Sequence, residues 1–172
     1  LGLNIIGKTS SAKFILQDSR FLGNPENNSG ITSTSKSPFF HQVYFSFNEK
    51  NIPFFSGYDY AQLGRFELAL GNQRIIAKNN WNNIGRSFDG FLFSDEVLSG
   101  ELLIMHLFIN ETMNNSHSDA KDVVIDGLYL NQNIPKLGER SNYELYLLNF
   151  KNMQFDTVQD TTASYNIIGA RI

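Results

Sequence analysis

Apolar and polar residues alternate along much of this chain, and that two-residue period is what most narrows its fold. In Gln42–Phe47, Val43, Phe45 and Phe47 point one way while Gln42, Tyr44 and Ser46 point the other. In Arg65–Leu70, Phe66, Leu68 and Leu70 alternate with Arg65, Glu67 and Ala69. A strand sends successive side chains to opposite faces, so these runs suit pleated sheet and not a helix of period 3.6. A further run, Gln73–Lys78, follows Gly71-Asn72. A Gly-Asn pair between two such runs marks a two-residue hairpin, because glycine takes positive φ without steric cost.

The same reading extends along the chain. Glu101–Asn110 is apolar on both faces, with Leu103, Met105, Leu107 and Ile109 on one and Leu102, Ile104 and Phe108 on the other. That pattern predicts a central strand covered on both sides. Val123–Leu130 is strand-like with Asp126-Gly127 inside it, which reads as a bulge or a tight turn. Tyr143–Phe150, Gln154–Val158 and Ser164–Ile172 are further strands, and Lys13–Gln17 is a weaker one. Asn27–Pro38 and Asn114–Lys121 read as exposed polar loops. Amphipathic helices are lacking, and the 15 Phe and 7 Tyr favour sheet packing. Eight to ten strands in 172 residues, with no linker composition, predict one all-β domain over residues 1–172. The expected architecture is an antiparallel β-sandwich, most simply a jelly roll.

Composition removes several functions. Lys and Arg total 14 against 17 Asp and Glu, a net charge of −3 with no basic block, so nucleic acid is not an expected partner. Cysteine is absent, which excludes thiol chemistry, zinc fingers and disulfides. The longest apolar run, Leu102–Ile109, is broken by His106 and falls short of the ~18–20 residues that a membrane-spanning helix needs. His41, His106 and His117 share no metal-ligand spacing, and no cofactor is expected. His106 lies on the strand face of Leu102, Ile104 and Phe108, where it reads as a core histidine with a hydrogen-bond partner. No nucleophile elbow or phosphate loop occurs.

The most distinctive local feature is Asn79-Asn80-Trp81-Asn82-Asn83, with the only tryptophan between amides. Aromatic faces that stack on sugars, with amides for the hydroxyls, make a carbohydrate site. Trp81, Asn80 and Asn82, with Tyr58 and Tyr60 as a second platform, are the candidate ligand-binding residues. A sandwich hydrolase or lyase would need two facing carboxylates, for which Glu67 with Glu101 or Glu144 is available. No catalytic constellation is assembled, however. The leading expectation is a non-enzymatic structural or assembly protein, such as a jelly-roll subunit of a virion or surface appendage, that self-associates with other chains. A carbohydrate-binding module that takes a glycan around Trp81 is the alternative. Terminal strands poor in charge, Leu1–Gly7 and Ser164–Ile172, are the expected sites of association. Far-UV circular dichroism should show dominant sheet, and helix in more than about a quarter of residues would contradict the strand reading.

Overall fold

A computed structural model describes residues 1–19, 38–48, 59–80, 83–109, 123–134, 136, 138, 141–156 and 161–172, with side chains left out at 152–156 and 161–163. Nine strands run through them: β1 (Gly2–Ile6), β2 (Ser10–Gln17), β3 (Phe39–Phe47), β4 (Tyr60–Phe66), β5 (Phe88–Val97), β6 (Gly100–Ile109), β7 (Val123–Asn133), β8 (Asn142–Asp156) and β9 (Thr161–Arg171). They form one sheet in which spatial order is sequence order. Every pairing is antiparallel. The sheet is an open up-and-down meander with β1 and β9 as its edges. The protein is therefore all-β, as the alternation predicted. A jelly roll divides its strands between two sheets through Greek-key crossovers, and that is not the order found here.

Individual expectations fare differently. Glu101–Ile109 lies in β6, between β5 and β7, but the expected cover on both faces is not found: Leu103, Met105 and Leu107 are buried, while Leu102, Ile104 and Phe108 on the other face are only half-buried. Asp126-Gly127 is neither a turn nor a bulge, because β7 passes through it with unbroken register to β6 and β8. Gly127 is required by packing: a Cβ there would lie 2.6 Å from Leu148 Cδ2 and 3.0 Å from Met105 Cγ. Tyr143–Phe150 and the described part of Gln154–Val158, residues 154–156, merge into β8, which carries two register shifts near its far end, while Thr157 and Val158 lie outside the described residues.

The hairpin expected at Gly71-Asn72 needs correction. The turn exists, with Gly71 at φ 51°. The Gln73 N–H donates to Leu70 O at 2.9 Å and the Leu70 N–H to Ile76 O at 3.1 Å. Its flanks do not enter the sheet, however. β4 stops at Phe66, and residues 67–87 fold back over one face. Leu68, Leu70 and Ile76 are buried there with Phe66, Phe88, Met105, Leu107, Ile125 and Leu148. Burying three large apolar side chains, at roughly 1.5–3 kcal/mol each, outweighs the few ladder bonds that a flat hairpin would add.

This covered face and the opposite, open face organise the molecule. Register places Phe66, Phe88, Leu92, Leu103, Met105, Leu107 and Ile125 on the covered face. Leu63, Phe91, Phe93, Ile104 and Leu128 lie on the open one. The connections alternate between two ends of the sheet. Those at one end are 7–9, 48–59, 98–99 and 134–141; those at the other are 18–38, 67–87, 110–122 and 157–160. The three longest all leave from the second end. The expected loops at Asn27–Pro38 and Asn114–Lys121 belong to these connections; all of the first but Pro38, and all of the second, lie outside the described residues.

Where β3, β4 and β5 meet, Gly64 sits at φ 122° and faces Gly90 across the ladder. A Cβ on Gly64 would collide with the Val43 carbonyl oxygen. Gly64→Ala should therefore cost about 1–3 kcal/mol of unfolding free energy in a denaturant titration. A loss under about 0.5 kcal/mol would show that the strands are not pinched together at this point.

Candidate functional site

Two polar clusters fasten segment 67–87 to the covered face. The first centres on His41, the unpaired residue of a bulge between the Ile15–Gln42 and Leu16–Phe40 pairs. The buried His41 places Nε2 2.8 Å from Glu67 Oε1. Lys78 Nζ lies 4.0 Å from Glu67 Oε2. Ser87 Oγ donates to His41 O at 2.6 Å and lies 3.2 Å from His41 Nδ1. Serine, histidine and glutamate thus meet, but not as a hydrolytic triad. The Ser87 proton is directed to a backbone carbonyl, and His41 Nε2 is occupied by the carboxylate. A nucleophile needs its hydroxyl directed at a free imidazole nitrogen. What the cluster does is tie both ends of the 67–87 connection to β3.

The second cluster lies beside the Gly71 turn. Glu144, 5 % exposed, pairs with Arg171 NH2 at 3.1 Å. With its amide oxygen turned toward the two guanidiniums, Asn72 accepts from Arg171 NH1 at 3.2 Å and Arg74 Nε at 3.0 Å. Gly71 is glycine because the Glu144 carboxylate occupies the space that a Cβ would need. Together with Tyr129 and Tyr146 these groups line a pocket of about 120 Å³. The three carboxylates considered for glycoside hydrolysis are each engaged: Glu67 by His41 and Lys78, Glu101 by Ser94 Oγ at 2.6 Å, and Glu144 by Arg171.

The expected carbohydrate site is not assembled by the described residues. Trp81, Asn82 and Tyr58 lie outside them. Tyr60 starts β4 and donates its hydroxyl proton to Gln62 Oε1. Asn80 belongs to the connection that leaves the opposite end of β4, close to Gly85 and His41. Tyr60 and Asn80 are thus kept apart by the length of a strand. Among the described residues no group of three His, Asp or Glu side chains is placed to hold a metal ion. His106 has the partner expected of it, Asp126, but it is half-buried on the open face and not in the core.

The open face is what the sequence reading missed. On β3 the polarity runs inside out: Phe45 is 52 % exposed on the open face, while Gln42 and Ser46 are 6 % and 4 % exposed on the covered face. Gln62 and Ser94, also on the covered face, are buried too. Leu3, Ile5, Leu128, Leu145, Leu147 and Ile168 are all exposed on the open side.

These apolar residues form a band that runs obliquely to the strands. The cross-strand row that begins Ile5, Ala12, Phe45 ends Asp126, Asn149, Asn166. The row that begins at Asp95 on β5 ends Leu130, Leu145, Ala170. Charge on the band's border toward the long connections is paired. Arg65 Nε and NH2 donate to Asp89 at 2.7 and 2.5 Å. Asp126 is paired with His106 and with Lys151, the latter at 2.7 Å. Alternation in the sequence could have shown this pattern, but it does not say which of two faces will be covered.

Among the described residues no helix is long and apolar enough to cross a membrane, a finding that does not bear on strands. Comparison with protein-family models, with curated proteins and with solved structures finds no match.

His41→Ala removes the bond that ties segment 67–87 to β3. Local opening should become easier by about 1–2 kcal/mol, so trypsin should cut after Arg74 or Lys78 roughly 5–30 times faster. Unchanged cleavage would mean that apolar burial alone holds the segment.

Proposed function

We propose that this chain forms part of the wall of a transmembrane β-barrel. The open face would meet lipid, and the covered face, with segment 67–87 packed on its apolar side chains, would face the barrel interior. The observation that carries this reading is the inverted polarity of β3, with Phe45 exposed on one face and Gln42 and Ser46 buried on the other. Water would reward the opposite arrangement, whereas strands in a bilayer place apolar side chains outward and polar ones inward. Three further features agree. The order is strictly up-and-down. The longest connections share one end, as barrel loops do. The apolar band is oblique to the strands, as it must be when barrel strands tilt by about 35–45° from the membrane normal.

The edges fit the same reading. β1 and β9 carry unpaired backbone groups, which hydrocarbon cannot satisfy. With nine antiparallel strands, β1 and β9 run in the same direction, so pairing them directly would make a parallel closure. An all-antiparallel ring needs an odd number of further strands between β9 and β1. Association through the terminal strands, expected from their low charge, thereby takes a definite form. The jelly-roll assembly reading would instead cover the open face with a second sheet; an exposed face alone does not favour it.

Leu128→Arg separates the two. A charge on a lipid face costs up to ~2–4 kcal/mol at the bilayer midplane, so the variant should fold poorly into vesicles and lose heat-modifiable mobility in SDS. The parent protein should need detergent for solubility. A parent chain that stays soluble and monomeric, or forms a discrete oligomer, without detergent would overturn the proposal, and better solubility of Leu128→Arg would confirm that failure.

A further inference from the structure

From the open face we infer a binding site for one membrane phospholipid, with its phosphate at Lys151 and Asn166 and an acyl chain in the groove below. The inference rests on the barrel-wall reading. A depression of about 410 Å³ opens on this face, floored by Phe91, Ile104, Leu128 and Leu147. Its rim toward the long connections is polar: His106, Asp126, Asn149 and Asn166 are successive partners across β6, β7, β8 and β9. Ile104, Leu128 and Leu147 form the adjacent row toward the short turns. Polar groups therefore stand at one level and an apolar groove directly beneath them. That is the layout of one lipid molecule at the bilayer interface, headgroup above and chain below.

The rim's unused valences select the headgroup. Asp126 is satisfied twice, by His106 Nδ1 and by Lys151 Nζ at 2.7 Å. The ring of His106 is held between Phe91, stacked at 5.3 Å, and Phe108, edge-on at 4.8 Å. Asn149 Nδ2 donates to Asn166 Oδ1 at 2.8 Å, which leaves Asn166 Nδ2 with no acceptor among the described residues. Among the described residues Lys151 Nζ has one partner for its three protons. The spare groups are mainly donors and include a cation, whereas the one carboxylate is already neutralised. Such a rim suits a singly charged phosphodiester, whose oxygens only accept. The neighbouring depression, lined by Phe40, Val43 and Gly64, has at its rim the closed Arg65–Asp89 pair and serves as an internal comparison.

The test is phospholipid retention. The full chain would be purified from membranes into dodecyl maltoside and exchanged against phospholipid-free detergent. Lipid is then counted by phosphorus analysis and identified by native mass spectrometry, with phosphatidylglycerol and phosphatidylethanolamine added back as probes. The expected result is about one phospholipid retained per chain, since the groove admits one. The double variant Lys151→Met/Asn166→Leu should weaken add-back binding by about tenfold or more, the usual effect of losing a charge-assisted hydrogen bond. Leu147→Trp, which fills the groove and leaves the rim intact, should weaken it as well. Arg65→Gln should change nothing. A detergent-dependent, heat-modifiable chain that retains no phospholipid overturns this site alone, as does retention that neither variant disturbs. A chain soluble without detergent overturns the site together with the barrel reading.

Discussion

Each of the eight strand pairs shares its backbone hydrogen bonds with the strand that follows in the chain. Because no strand crosses to another layer, the described strands bury backbone polar groups only sideways. Both faces of the sheet are then left to be dealt with by side chains. One face is covered from within, by the segment between β4 and β5. Among the described residues nothing covers the other, and its composition is apolar all the same. An ordinary soluble meander has one packed face and one solvated face with a clean polar alternation. The second condition is broken here, and the rest of the reading follows from that break.

Segment 67–87 shows how local and tertiary preferences compete. Gly71 and Asn72 make the turn that their chemistry favours, and one ladder-type bond forms between Leu70 and Ile76. Beyond that, Leu70 and Ile76 gain more by lying on Phe66, Phe88 and Leu107 than by extending β4. Polar contacts then fix the fold-back at both ends: Glu67 and Ser87 to His41, and the Gly71 turn to Glu144 and Arg171 through Asn72. Buried polar groups are tolerable only when hydrogen-bonded. Among the described residues no buried side-chain polar atom lacks a partner.

On the open face, charges appear as closed pairs at the border of the apolar band: Arg65 with Asp89, and Asp126 with His106 and Lys151. Pairing lowers the cost of holding charge beside an apolar surface. Arg65, Asp89 and Lys151 fall on one cross-strand row and His106 with Asp126 on the next row of the same face, so register brings together charges far apart in the chain.

The sequence by itself determined most of the strands, but its alternation does not mark β5 and suggests a strand at Gln73–Lys78 that does not form. Alternation at Gln42–Phe47 and the two-sided apolar run at Glu101–Asn110 follow from the backbone period of two, which is local and needs no tertiary knowledge. It also determined that any turn after Leu70 would fall at Gly71-Asn72. Tertiary structure alone decided which face of each strand is covered, since a register shift or a different cover would swap Phe45 for Ser46 without changing a residue. It alone brought His41 to Glu67 and Ser87, and His106 to Asp126 and Lys151, because those partners are twenty or more residues apart and meet through strand register. It also separated Tyr60 from Asn80, which the sequence had grouped. Composition supplies the apolar residues, but only strand order and the path of one connection decide which of them face outward.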